Sequence, residues 1–353
     1  MRWFLGLGLV IALIAGTLFG VGYLLLDNSL AVTRTATIER PRAAVFAMVN
    51  DLRIAKEWSP FYAMDPNADY SFSGEGPGPG QTMRWSSNVR QVGAGRMSIV
   101  NASENESVDA ILEMRSRATF NTHIEFARAD RGATSLAWTV SAECSRGAIN
   151  VPCRYMNLIL RGDIEKQLDQ GLGRLKTLAE QLPNVDFEGF DIVQLPIEPQ
   201  DVLFVDVTLA KPSPTFEDRD AAERDGVAAL NRFVESAGVS GAGPLVRVFP
   251  AQNGVAGRYS FSIGYAYGGP APLTLVGVRV GRTPGGAALR AEFVGRRSQI
   301  PLMYQRLEAY RQAHRIALRP GVDAWEVVQR VEPPRADFPN DPIEHTEIYY
   351  PVE

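Results

Sequence analysis

Histidine and cysteine are scarce: the 353 residues contain three of the first and two of the second. His123 falls on a polar strand face, His314 beside Arg311 and Arg315, and His345 among acids near the carboxyl end. Their separation excludes a histidine-based metal site. The chain also lacks a Gly-x-Ser-x-Gly elbow and a phosphate-binding loop. The glycine-rich run 74–80 falls between strands rather than ahead of a helix, so it reads as a turn. Basic runs are missing as well, and a net charge of −4 argues against nucleic acid as a partner. No cofactor is expected. Cys144 and Cys153 are too few for a structural zinc site. They either close a short loop as a disulfide in an oxidising compartment or stay two buried thiols.

What the chain does have is an apolar amino end. After Arg2 no charged residue occurs before Asp27. About 20 apolar residues cross roughly 30 Å of hydrocarbon, so residues 3–26 are long enough to span it with some tilt. A cleaved signal peptide is the competing reading, but its apolar core is shorter, about 7–15 residues, and no crisp Ala-x-Ala site follows here. Residues 1–31 are therefore expected to form a single transmembrane helix in the inner (cytoplasmic) membrane. The flank Asp27-Asn28-Ser29 carries no positive charge, which favours the bulk of the chain on the periplasmic side.

The composition, 45% apolar and 22% charged, is that of packed globular protein, and the length suits two domains. The first is expected over residues 32–182. A strand at 32–38 leads to Pro41, suited to a first helical turn, and a helix at 43–52. Strands follow at 70–75, 81–87, 96–104, 108–114, 119–128 and 134–143. Phe120, Ile124 and Phe126 alternate with Asn121, His123 and Glu125, the period of a half-buried strand. A long helix at 154–182 closes the domain, with Leu168, Leu172, Leu175, Ala179 and Leu182 as one stripe. An antiparallel sheet gripping one amphipathic helix encloses space for a ligand. Trp58 and Trp85 either line that space or belong to the core.

Trp58-Ser59-Pro60-Phe61, Asp65-Pro66, Gly74-x-Gly76, Met83-Arg84-Trp85-Ser86-Ser87-Asn88 and Gly93-x-Gly95-Arg96-Met97 carry a resemblance, as do Thr134-Ser135-Leu136-Ala137-Trp138 and Gly171-Leu172-Gly173-Arg174-Leu175-Lys176. Together they resemble the polyketide cyclase/dehydrase and lipid-transport family, of the START-like, helix-grip superfamily. That resemblance implies a fold that binds hydrophobic ligands, and no shared catalytic set.

The second domain is expected over residues 190–353, after a break at Pro183-Asn184-Val185-Asp186. A strand at 202–209, a helix at 216–237 and strands at 245–251 and 259–267 are followed by a similar series: strands at 275–281 and 287–295, a helix at 300–317, strands at 322–331 and 344–350. Gly238, Gly241 and Gly243 stop the first helix and Pro320-Gly321 the second. Two strand–helix–strand–strand units side by side place both helices on one face and leave the concave face for a ligand. This duplication, with Asp323-Ala324-Trp325-Glu326 and the closing Thr346-Glu347-Ile348-Tyr349-Tyr350-Pro351-Val352, resembles the gyrase-inhibitor-like effector-binding domain. Such domains bind small cationic or aromatic molecules, and a glutamate on the late strand, matched by Glu326, sits at the pocket centre. The position two residues on, often aromatic in that family, is Val328 here.

The residues themselves give Glu326 two readings. In a strand it shares a face with Val322, Ala324 and Val328, a lone carboxylate on an apolar surface, which is costly without a partner. A bound cation would supply one, and Tyr259, Tyr265, Tyr267 and Trp325 are rings that would help attract it. Otherwise Glu326 pairs with Arg330 or Arg296, or faces solvent. The expected whole is an α+β chain: a transmembrane helix, a helix-grip antiparallel sheet and a duplicated effector-binding domain. Its expected role is a membrane-anchored binding protein for small hydrophobic or cationic molecules, lipid included. The alternative is a hydrolase of small electrophiles, with Glu326 as base in an apolar surround.

Overall fold

The computed structural model describes residues 2–353 apart from 116–117, 146, 148–149, 238, 240–242, 251–257 and 269–276. Gly238 and Gly241, expected helix stops, lie outside the described residues, as do Ala251 and Leu275 at the ends of expected strands. The chain divides into two compact units, Met1–Glu188 and Gly189–Glu353. Each holds one antiparallel sheet.

Unit 1 opens with the apolar helix α1, Arg2–Leu24. Its segment Leu7–Leu24 meets the length and hydropathy requirements of a membrane span, which a signal sequence also meets, and is almost entirely exposed. The strands that follow are β1 (Ser29–Ile38), β2 (Asp69–Ser73), β3 (Thr82–Ser86), β4 (Ala94–Ser103), β5 (Ser107–Met114), β6 (Thr119–Arg128) and β7 (Thr134–Glu143). They form a sheet in the order β1-β7-β6-β5-β4-β3-β2. The long helix α5, Val151–Ala179, packs on β1 and against the short helices that follow β1. This is the helix-grip arrangement. Leu136, Trp138 and Val140 are buried on one face of β7, as period two requires.

The single helix expected at 43–52 is instead α2 (Arg42–Asn50), α3 (Leu52–Trp58) and α4 (Pro60–Met64). The break is at Asp51, an extended residue whose carboxylate accepts the Arg53 N–H and caps α3. Fully buried Gln81 holds the junction. Its amide donates to Asp51 Oδ1 at 2.7 Å and its carbonyl accepts the Leu52 N–H at 2.6 Å. Ser59 caps α4 in the same way, with Pro60 in its first turn. Cys144, just past β7, is disulfide-bonded to Cys153 in the first turn of α5, with their Cα atoms 5.9 Å apart.

Unit 2 contains β8 (Ile192–Ile197), β9 (Asp201–Leu209), α6 (Phe216–Ala237), β10 (Leu245–Phe249), β11 (Tyr259–Ala266), β12 (Arg279–Arg282), β13 (Gly286–Arg296), α7 (Ile300–Ala313), β14 (Ala324–Glu332) and β15 (Ile343–Pro351). The strand order is β12-β9-β11-β10-β14-β15-β13-β8. β8 was not expected, and the strand expected at 275–281 is only the short edge strand β12. Helix α6 packs on β9 and β11, and α7 on β13.

Candidate functional site

A hollow of about 290 Å³ lies in unit 1 between the sheet and α5. Its walls include Met83, Trp85, Met97, Leu112 and Met114 from the β3–β5 region, Phe120, Trp138 and Val140 from β6 and β7, and Leu160, Ile164 and Leu168 from α5. Trp58 and Trp85 both line it, each 3% exposed. Trp58 donates to the Met48 carbonyl at 3.2 Å and meets Trp138 edge to face at 5.3 Å. Trp85 donates to the Val92 carbonyl at 3.4 Å and stacks on Phe61 at 5.2 Å. Two glycines let the walls close around these rings. A Cβ on Gly95 would stand 2.4 Å from Trp85, and one on Gly171 2.7 Å from Trp138. Trp138 differs from its neighbours, because its buried indole N–H has no hydrogen-bond partner. An unpaired buried donor is costly.

The second hollow, about 330 Å³, lies in unit 2 on the helix-bearing side of the sheet. Phe216 and Arg219 of α6, Tyr304 of α7 and Phe249, Tyr259 and Phe261 of β10 and β11 line it around Glu326. Glu326 is not a lone carboxylate. Strand pairing sets Arg247 of β10 opposite it, and Arg247 donates to Glu326 at 3.0 Å, to Glu344 at 2.7 and 2.8 Å, and to Glu223 at 2.9 Å. Tyr304 donates its hydroxyl to the other Glu326 oxygen at 3.1 Å. Arg297 adds contacts to Asp220 at 2.7 Å and to Glu223. The expected partners Arg330 and Arg296 pair with Glu332 and Asp341 instead.

The electrostatics follow from this ring. Burial alone would lower the Arg247 pKa, but Glu223, Glu344 and Glu326 outweigh it and raise it well above its ordinary value. Burial pushes Glu326 up, with Arg247 opposing. Burial also pushes on Glu344, yet hydrogen bonds and charge from Arg247 bring it below its ordinary value. Tyr304 is raised well above a usual phenol by burial and by Glu326.

The other sequence-expected residues do not join Glu326. Trp325, its neighbour in the strand, points to the opposite face, where it packs with Val202, Phe204, Val246 and Val248 and stacks on Tyr349 at 4.9 Å. Tyr265 packs against the α6 side and donates to Asn231 at 3.0 Å, outside the hollow. Tyr267 borders a separate depression with Val327, Glu347 and Tyr349. The expected ligand face, opposite the helices, is therefore not where Glu326 lies. Arg247, Glu223, Glu344 and Tyr304 were missed. Arg247 carried a signal, a charge between Val246 and Val248 in an apolar strand. Among the described residues no group of three or more His, Cys, Asp or Glu is arranged to hold a metal.

Residues 29–180 match the family model described as polyketide cyclase / dehydrase and lipid transport. No curated protein matches the chain. Similar solved structures include Ara h 8.0201, with 12% identity, 43% of this chain and 99% of that one covered, and a TM-score of 0.33. A protein from Mesorhizobium loti has 13% identity, 43% and 97% coverage and a TM-score of 0.32. A protein of unknown function from Staphylococcus aureus has 14% identity, 42% and 94% coverage and a TM-score of 0.33. At these identities and TM-scores none bears on what the chain does.

Proposed function

We propose that the chain is a membrane-anchored binding protein in which unit 1 holds a small hydrophobic molecule and unit 2 a small aromatic or cationic one. The observation that carries the first half is the largely apolar hollow under α5, lined by Trp58, Trp85 and Trp138. The family match over residues 29–180 supports it. The guest is then mostly apolar, as a fatty acyl, polyketide or sterol-like molecule is.

For unit 2 the strand order supports the effector-binding reading. Outward from the β10–β14 pair, β11 and β9 on one side correspond to β15 and β13 on the other. Each side has the chain order strand, helix, strand, strand. Aromatic rings and carboxylates around Glu326 suit an aromatic cation, although Arg247 already neutralises much of that charge. The hydrolase reading has less support, since both Glu326 oxygens are engaged by Arg247 and Tyr304. Anchoring through α1 rests on the length and exposure of its apolar segment. A periplasmic location for the two units is supported by the disulfide, a bond that persists in oxidising compartments.

Native mass spectrometry of the full chain released from nanodiscs tests the reading of unit 1. A bound apolar mass is expected on the natural chain and its loss on Val140→Trp, which fills the hollow. A chain without any bound mass that also takes up no apolar compound from a broad panel would overturn the reading.

A further inference from the structure

The hollow in unit 1 sits at one end of its sheet, and that end is the one tied to α1. Strand β1 starts at Ser29, five residues past the end of α1, and pairs Ser29 with Glu143 at the end of β7. Following the register across the sheet, the same end carries Asn121 opposite Ser141, Glu113 opposite Thr119, and Gly95 opposite Met114. The walls Trp85, Gln91, Met114, Ala118 and Phe120 all belong to this end. None of the lining comes from the opposite end, around Ile38, Ser103 and Thr134.

The first turns of α5 lie alongside the last turns of α1. Tyr155 donates its hydroxyl to the Leu18 carbonyl at 2.7 Å. Arg154 donates to the carbonyls of Tyr23 at 2.7 Å and Leu26 at 2.9 Å, and its guanidinium lies 5.3 Å from the Tyr23 ring. The Arg154 bonds satisfy carbonyls at and just past the helix end, which would otherwise be left open. Gly22 permits the approach, since a Cβ there would meet Val151 at 2.5 Å. Leu18 is about 9 Å below the end of α1 at 1.5 Å per residue. If α1 spans a bilayer, the start of α5 therefore lies at the depth of the lipid headgroups, where tyrosines such as Tyr23 and Tyr155 are favoured.

The surface at that level is apolar. Met156, Leu158 and Ile159 are 52%, 58% and 69% exposed, and Val89, in the loop that also supplies Gln91 to the hollow, is 36% exposed. Met156 is on the α5 face that continues through Leu160, Asp163 and Gln167 into the wall of the hollow, at helical spacing. Arg90 and Arg115 are exposed at the same end of the sheet, suited to lipid phosphates. We infer that the mouth of the unit-1 hollow is seated on the bilayer that α1 spans, with Met156, Ile159 and Val89 as its lipid-immersed rim. An apolar guest then passes between hollow and membrane without crossing water. This rests on the proposed anchoring through α1 and goes beyond it by giving the hollow an orientation.

The test uses the full chain in phosphatidylcholine vesicles, with the photoreactive residue p-benzoyl-phenylalanine placed in turn at Ile14, Ile159 and Glu104. Ile14 reports on the span, Ile159 on the rim, and Glu104 on the exposed turn at the far end of the sheet. Lipid adducts at Ile14 and Ile159, with at least tenfold less at Glu104, are expected. Adducts at Ile14 without adducts at Ile159 overturn the rim while leaving the anchor intact. Equal labelling at Ile159 and Glu104 also overturns it. The absence of adducts at Ile14 overturns the anchor itself and, with it, this inference.

Discussion

The two hollows are similar in size and opposite in chemistry. In unit 1 the wall is mostly aromatic and aliphatic side chains, with Gln91, Asp163 and Gln167 among its few polar members. In unit 2 the wall includes a buried arginine joined to three carboxylates. A hollow walled by hydrocarbon is kept open by the geometry of its frame. A hollow walled by charge is kept open by satisfying every charge, because ions removed from water are stable only when paired. On the proposed reading the first would select guests by shape and apolar area, the second by charge and ring stacking. The difference also locates the weak point of each unit, in the frame for unit 1 and in the charge ring for unit 2.

The largest effect expected from breaking this contrast is at Arg247. Arg247→Ala removes the cation that Glu223, Glu326 and Glu344 share, leaving Arg297 to reach Glu223 and Glu344 and only the Tyr304 hydroxyl at Glu326. Loss of one partner of a buried pair costs about 3–5 kcal/mol. Hydrogen exchange resolved by peptide should show unit 2 destabilised by that amount, with unit 1 unaffected. An effect under about 1 kcal/mol, the range of exposed ion pairs, would mean the ring is not buried in solution. The frame of unit 1 is next. Opening the Cys144–Cys153 loop by Cys144→Ser with Cys153→Ser should lower its stability by about 2–3 kcal/mol, and reductant should do the same. Unit 2 contains no cysteine and should not respond.

A smaller frame effect is expected at Gly171. Gly171→Val puts side-chain atoms into the Trp138 ring, where even a Cβ would lie 2.7 Å away. Overpacking of this kind costs about 1–3 kcal/mol, and apolar ligand binding in unit 1 should weaken with it. Binding in unit 2 should stay the same, as read by two fluorescent probes, one an acyl chain and one a quaternary quinolinium.

The pH dependence should also separate the units. Glu326 titrates above its ordinary value in the fold, so a cationic probe in unit 2 should be lost as pH falls through that raised value, while acyl-probe binding in unit 1 stays flat. For stability the signs differ within the ring. Because its pKa is raised, the Glu326 contribution is present at low pH and is lost as pH rises through its folded value. The Glu344 contribution, from a lowered pKa, is present above its unfolded value and is lost as pH falls through its folded one. Calorimetry across acid pH checks this pair. The smallest effect is at Trp138→Phe, which removes the unpaired N–H. It should change the stability of unit 1 by about 1 kcal/mol or less, because relief of an unsatisfied buried donor offsets lost packing.

Much of unit 1 was legible because strand alternation is local. β6 and β7 fall where the alternation puts them, at Thr119–Arg128 and Thr134–Glu143. The α2–α3 break was not, since Asp51 is held there by Gln81, thirty residues away. Glu326 was recognisable as an unusual residue, but its partner Arg247 arrives through the pairing of β10 with β14, which no local pattern encodes. The separation of Trp325 from Glu326 was readable, since successive strand residues face opposite ways. Strands β8 and β12 sit at the two edges of their sheet, where short segments leave little pattern.

The claim that unit 1 keeps its hollow for an apolar guest is tested most directly by quenching. A bromine-labelled fatty acid is titrated into the full chain carrying Trp3→Phe and Trp325→Phe, and the emission of Trp58, Trp85 and Trp138 is followed. Saturable quenching at one guest per chain is the expected result. Quenching that rises without saturation, as from acid dissolved nonspecifically around the protein, would contradict it.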